Sequence, residues 1–176
     1  MKLLSVFLIL VSSASGSFTV PSGAKLQLLK HFHDYITTFF TPQQVSKAID
    51  ITAFDIHRGR KSNEILSHLE DFGRSSLTDD QLTELSSAYD LLSEDLGNKG
   101  SAVVFQRIKK IVIYAVEPAI AKIRMNSDTP ETAYETMLSV FTTEYVSAIK
   151  QLIHMTLTPT ELKAVQARFG KVFHLI

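Results

Sequence analysis

A short helix-start motif recurs along this chain and constrains its fold more than any other feature. The pattern Leu/Phe-Thr-x-x-Gln/Glu-Leu/Val occupies residues 40–45, 77–82 and 157–162. In each copy the threonine side chain can cap the backbone N–H three residues on, and the Gln or Glu side chain can return to the threonine N–H. Pro42 and Pro159 suit the first helical turn, where their missing N–H would have no partner. The motif therefore predicts several short, separately capped helices.

The three copies do not indicate an internal duplication. Their spacings along the chain are unequal, and the residues beyond each copy do not match. A capping box flanked by a hydrophobic staple produces this pattern wherever a helix begins. We therefore interpret the motif as local helix-start chemistry.

Apolar residues at three- and four-residue spacing predict helices throughout the chain, and no segment alternates as a strand would. Gly97 and Gly100 frame a predicted turn before the longest apolar segment. The fold class is predicted to be all-α, as a single-domain bundle of about seven amphipathic helices with a central apolar helix near 101–126. The predicted helices cover about 24–40, 41–57, 62–73, 78–97, 101–126, 129–155 and 158–176.

The first sixteen residues have the composition of a secretory signal peptide. An apolar run over residues 3–11 follows a lysine, and Ala14 and Gly16 then place small side chains where a signal peptidase recognises them. The run is shorter than the ~20 apolar residues of a membrane-spanning helix, so a leader is favoured over an anchor. We predict a signal peptide at 1–16, a helical domain at 17–176, secretion to the extracellular space and no membrane span.

Composition excludes several partners and chemistries. Eighteen Lys and Arg residues balance eighteen Asp and Glu residues, so neither nucleic acid nor an anionic membrane surface is expected as the main partner. The chain contains no cysteine, which excludes disulfides, thiolate metal sites and cysteine nucleophiles. The stability of the fold must therefore come from the packing of its apolar side chains.

No familiar catalytic, metal-binding or phosphate-binding motif is present in the sequence. The six histidines are interpreted as surface or boundary residues. His31 and His33 would point about 200° apart on a helix, which is poor geometry for a shared metal. We predict no enzymatic activity, no catalytic residue, no metal and no cofactor.

One polar line crosses the otherwise apolar segment near 101–126. It could be the solvent-facing edge of a core helix, or it could border a pocket where a basic side chain meets a lipid carboxylate. Pro118 removes one helical hydrogen bond, and the sequence leaves open whether it kinks the helix or separates two helices. The line consists of Arg107, Lys110, Tyr114, Glu117 and Arg124, of which the candidate ligand-binding residues are Arg107, Lys110, Tyr114 and Arg124.

In architecture the chain resembles the nematode fatty-acid- and retinol-binding secreted proteins. The resemblance is carried by the predicted leader, the cysteine-free chain, the purely helical pattern and helix openings such as Leu77-Thr78-Asp79-Asp80-Gln81 and Leu157-Thr158-Pro159-Thr160-Glu161. It implies an all-α, non-enzymatic carrier of a fatty acid or retinoid.

Three functions remain open at this point. The leading hypothesis is a secreted non-enzymatic carrier that binds a fatty acid or similar apolar ligand between helices. The alternative is a secreted helical interaction module or effector, which would bind a protein partner and have a solid core without a ligand pocket. The third is an enzyme whose site is assembled from distant positions, with convergent titratable groups in a cleft as its signature.

Overall fold

The computed structural model describes residues 23–33 and 39–170, and these residues form seven helices without a strand. This confirms the predicted all-α class. The helices are α1 (Gly23–His33), α2 (Pro42–His57), α3 (Ser62–Ser76), α4 (Asp79–Met125), α5 (Pro130–Val140), α6 (Thr143–Thr156) and α7 (Pro159–Phe169). The predicted leader at 1–16 lies outside the described residues.

Helix α4 is the centre of the bundle, because α2, α3, α5, α6 and α7 all pack against it. Its C-terminal part contains the apolar segment that the sequence predicted as a central helix. Side chains from all seven helices contribute to one buried apolar cluster. Within the described residues, no helix is both long enough and apolar enough to cross a membrane.

Gly97 bends α4 in its first half. Its φ of 73° and ψ of 155° lie in a region that is essentially restricted to glycine. The predicted four-residue turn is therefore a single non-helical residue, and helix resumes at once. Contacts across the bend hold the two parts together: the hydroxyls of Ser93 and Ser101 lie 3.0 Å apart, and the rings of Tyr89 and Phe105 stack at 5.7 Å.

The single helix predicted over 129–155 is wrong, because the chain breaks between α5 and α6. Phe141 leaves the helical region with φ −83° and ψ 60°, and the Thr142 side chain accepts from the Tyr145 N–H at 3.3 Å to start α6. The Phe141 ring is buried and packs edge-on against the Tyr145 ring. Apolar spacing continued across the break, so the helical period did not reveal it.

Three other helix ends also differ from the prediction, whereas α2 ends at His57 as predicted. Helix α3 continues to Ser76, because Gly73 is a buried interior residue of that helix rather than its end. The first predicted helix extended to residue 40, but Phe39 and Phe40 lie in a turn, and residues 34–38 lie outside the described part of the chain. Helix α7 ends at Phe169, and residues 171–176 are likewise not described.

All three predicted capping boxes are present, and two of them meet. Gln44, from the box of α2, donates at 2.9 Å to the side-chain oxygen of Gln81, from the box of α4. Gln44 also donates to the Ser76 carbonyl at 2.8 Å, and Gln81 donates to the Phe39 carbonyl. Local helix-start residues therefore also fix the relative positions of α2, α3 and α4.

Candidate functional site

Arg107, the first of the predicted ligand-binding residues, forms an ion pair between two helices. Its guanidinium donates to both carboxylate oxygens of Glu161, with 3.1 Å from Nη1 to Oε2, and Nη1 lies 3.4 Å from the Thr156 carbonyl. Burial raises the pKa of Glu161, but hydrogen bonds from Thr158 and Arg107 outweigh it, so the net pKa is lowered. Arg107 therefore ties α4 to the start of α7.

The other three predicted residues lie on the solvent-facing side of α4. Lys110 is exposed, and Tyr114 is 78% exposed. Arg124 donates through Nη2 to the Arg60 carbonyl at 2.5 Å, on the loop between α2 and α3. At 1.5 Å per residue, Arg107 and Arg124 are about 25 Å apart along the helix. The structure thus places the four residues along α4 in separate surroundings: Arg107 is half-buried, whereas the other three are exposed.

A groove with a partly apolar floor opens where α4, α5 and α6 meet. We call it the Pro118 groove. Its volume is about 510 Å3, and it is open to solvent. Its lining residues are Pro118, Ala119, Lys122, Ser139, Val140, Thr142, Glu144 and Tyr145.

Pro118 lies inside α4 beside this groove. Pro118 has no N–H to give to the Tyr114 carbonyl, yet α4 continues beyond it to Met125, so Pro118 does not separate two helices. The Tyr145 hydroxyl donates to the adjacent carbonyl of Ala115. Burial raises the pKa of Tyr145, which keeps this hydroxyl protonated as a donor. The side chain of Tyr145 therefore joins α6 to α4 beside the proline.

A buried polar network joins α1, α2 and α5. The Lys25 ammonium contacts both carboxylate oxygens of Asp50, at 2.5 Å and 2.6 Å. The Tyr134 hydroxyl donates to the same carboxylate at 2.6 Å. Burial and the adjacent carboxylate raise the pKa of Tyr134, so its hydroxyl stays a donor. These side chains satisfy one another, and we interpret the network as structural.

A second concavity, which we call the α2–α3 depression, contains an Asp–His pair. Asp55 is only 5% exposed; its Oδ2 lies 2.7 Å from Nδ1 of His68 and its Oδ1 lies 3.2 Å from Nε of Arg60. The depression has a volume of about 490 Å3 and is open to solvent. Its lining residues are Ile51, Phe54, Asp55, Arg58, His68 and Asp71.

Sequence reasoning missed this pair. Asp55 and His68 are thirteen residues apart on different helices, so no local spacing rule connects them. The available signal was the short Arg58-Gly59-Arg60 connection, which returns α3 against the end of α2. Nothing in the described ranges brings together three or more His, Asp or Glu side chains that could hold a metal ion.

Comparisons with known proteins place this chain in a family. Residues 5–169 match the family described as "Uncharacterized protein B0228.1-like". The chain is also 30% identical over 151 residues to "Uncharacterized protein B0228.1" of Caenorhabditis elegans, an alignment that covers 86% of this chain and 67% of the relative. No solved structure matches the chain. Neither description names a ligand.

Proposed function

This chain belongs to the B0228.1-like family, and we propose that it is a secreted, non-enzymatic carrier of a fatty acid or similar apolar ligand. The observation that carries the proposal is the Pro118 groove. Its apolar surface comes from Pro118, Ala119 and Val140. The side chain of Lys122 places a positive charge in the same groove. An elongated molecule with one carboxylate matches that combination.

The buried core favours a surface groove over an internal site for the proposed ligand. The largest fully buried side chains come from α1, α2, α3, α4, α5, α6 and α7, and they belong to one continuous apolar cluster. A chain-like ligand inserted there would have to displace fully buried side chains, which costs free energy. A surface groove between helices requires no such displacement, so the proposed site is the groove rather than the interior.

Burial of the ligand's apolar chain supplies the affinity. Each methylene removed from water contributes about 0.8 kcal/mol, so affinity should rise with chain length until the groove is filled. The Lys122 ammonium would orient the carboxylate, although Glu144 in the same lining opposes a negative ligand. A fatty acid should therefore bind more tightly than the alcohol of equal length, by a modest factor.

Displacement of a fluorescent fatty acid from residues 17–176 tests the proposal, with native mass spectrometry to count bound lipid. Ser139→Trp should weaken binding, because it places a bulky side chain in the groove at an exposed position. Ser86→Trp is the matched control, since Ser86 is exposed on the first part of α4. Absence of bound lipid and of displacement at micromolar concentrations would exclude the carrier.

A triple variant separates the groove from the polar line on α4. Replacing Arg107, Lys110 and Arg124 by Gln should leave lipid binding intact if the ligand occupies the groove. If binding is lost while circular dichroism shows a folded protein, the carboxylate is held by the polar line instead. Lys122→Gln should remove the preference for the acid over the alcohol, and the exposed Lys99→Gln should retain it.

Secretion is the second part of the proposal, and it is supported by the leader-like composition of residues 1–16. Expression of the full chain in insect cells should release protein into the medium with Ser17 as its first residue. Intact-mass measurement checks this. Retention of the chain inside the cells would contradict it.

The alternative is a secreted interaction module, and one observation favours it. Large apolar side chains are exposed on two helices. They are Tyr114 on α4, and Leu152 and Met155 on α6, of which Met155 is 84% exposed. The contacts of Arg107 with Thr156 and of Tyr145 with Ala115 show that the two helices run antiparallel beside each other. Exposed apolar side chains on two neighbouring helices would suit a protein partner. The lipid titration decides between the two functions.

A further inference from the structure

The α2–α3 depression has a wall that suits a flat apolar group. Ile51 and Phe54 lie one turn apart on α2, and Phe54 is 39% exposed. The Arg58 guanidinium lies 5.9 Å from the centroid of that ring, which is within the range of a cation–π contact. An apolar surface and a positive charge therefore stand side by side in one concavity.

Arg58 is available to a ligand. The two carboxylates of the depression have other basic partners. Asp55 contacts Arg60, and Oδ1 of Asp71 lies 3.8 Å from Nη1 of Arg74. Across the described ranges, Arg58 itself pairs with no carboxylate, and its side chain is exposed. A guanidinium without a carboxylate can accept one from a ligand in a bidentate arrangement.

His68 offers a second polar contact whose orientation is fixed. The buried Asp55 carboxylate holds Nδ1, so Nε2 is directed away from it. Nε2 has no hydrogen-bond partner among the described residues, and it is not among the buried polar atoms. A carboxylate that orients one ring nitrogen leaves the other positioned for a ligand. In its doubly protonated form, the His68 ring would donate the Nε2–H to an anion.

We propose that the α2–α3 depression binds a small carboxylate with a flat apolar body, in which the ring packs on Phe54 and Ile51 and the carboxylate meets Arg58 and His68. The depression's lining contains no hydroxyl that could serve as a nucleophile, and its Asp55 is already engaged, so binding is favoured over catalysis. This site is separate from the Pro118 groove, and it does not depend on the proposed carrier function.

Titration of 15N-labelled protein (residues 17–176) with 2-naphthoate, followed by two-dimensional NMR, tests the proposal. The amide signals of α2 and α3 around the depression should shift in a saturable way. Arg58→Gln should weaken binding about tenfold, the factor expected from losing one charge-assisted hydrogen bond worth about 1.5 kcal/mol. Lys163→Gln, which removes an equal charge on α7, should leave the affinity unchanged.

Further variants and ligands distinguish binding in this depression from binding elsewhere on the protein. His68→Gln and Phe54→Leu should each weaken binding, while the neutral 2-naphthalenemethanol should bind poorly to the wild type. A saturating fatty acid in the Pro118 groove should not compete. The proposal is overturned if 2-naphthoate shifts only signals outside α2 and α3, if the alcohol binds equally well, or if Arg58→Gln retains affinity. The same spectra show whether each variant remains folded.

Discussion

At the scale of single residues, buried charges are used in this protein to connect helices. Asp50 and Asp55 are both buried on α2, and each is held by side chains from other parts of the chain. A carboxylate removed from water is tolerated only when such partners compensate it. Substitution of these two carboxylates or of their partners is therefore expected to lower the free energy of unfolding. Substitution of an exposed acidic residue is expected to change it little.

Asp50→Asn should destabilise the fold by about 3 kcal/mol, because it removes the negative charge that the partly buried Lys25 ammonium contacts at both oxygens. Urea unfolding followed by circular dichroism measures this. Asp90→Asn is the matched control, since Asp90 is an exposed acid on α4, and it should change the free energy of unfolding by less than about 0.5 kcal/mol. Equal effects of the two substitutions would contradict the role given to the network.

Glu161 should contribute a pH-dependent part of the stability. Although burial raises its pKa, bonds from Thr158 and Arg107 lower the net value. A lowered folded-state pKa stabilises the protein above the unfolded-state value of about 4.3, and the contribution is lost as pH falls through the folded-state pKa. The stability difference between wild type and Glu161→Gln should thus be full near neutral pH and disappear in acid.

Urea unfolding across that pH range provides the measurement. Glutamine can still complete the capping box, so the substitution isolates the charge that pairs with Arg107. Glu84→Gln is the control, because Glu84 is exposed on α4. A difference for Glu161→Gln that is constant with pH would refute the proposed charge effect.

At the scale of elements, the bend at Gly97 decides how α4 serves as the centre of the bundle. The residues before the bend place Tyr89 against Phe105, and the Phe105 ring meets the Phe169 ring of α7 edge-on at 5.5 Å. Arg168 of α7 donates to Asp95 at 2.8 Å, in the part of α4 before the bend. Helix α7 therefore spans the bend and holds both parts of α4.

Gly97→Ala should destabilise the protein by about 1–3 kcal/mol, because a side chain is strained at φ 73° and ψ 155°. No neighbouring atom lies within 4 Å of a Cβ built there, so the cost comes from backbone conformation and not from a clash. Gly23→Ala, which also meets open space but has no positive φ, should change stability little. Thermal unfolding compares the two variants, and similar melting temperatures would argue against strain at Gly97.

At the scale of the whole molecule, one apolar core joins all the described helices. Residues 17–176 should consequently unfold in a single cooperative transition, with the same midpoint by far-ultraviolet circular dichroism and by tyrosine fluorescence. The chain has no cysteine, so dithiothreitol should not shift that midpoint. Two separate transitions would show that part of the bundle folds independently.

The sequence by itself determined where most helices begin. Each capping box uses atoms within four residues of one another, so its chemistry is complete in the local chain. The amphipathic spacing likewise predicted the polar line on α4 and left two interpretations open; the structure shows Lys110 and Tyr114 exposed to solvent. The break at Phe141 was not predicted. Phe141 is itself a buried apolar residue, so the helical spacing of apolar residues continues through the break.

Only the tertiary structure decided which polar side chains meet. Lys25, Asp50 and Tyr134 come from three helices, and Asp55 meets His68 across a helix pair. Such contacts depend on the relative placement of whole helices, which is set by the packing of many apolar side chains together. The spacing of residues along one helix does not reveal that placement. The same placement created the Pro118 groove and the α2–α3 depression, so the candidate sites, unlike the helix starts, required the fold.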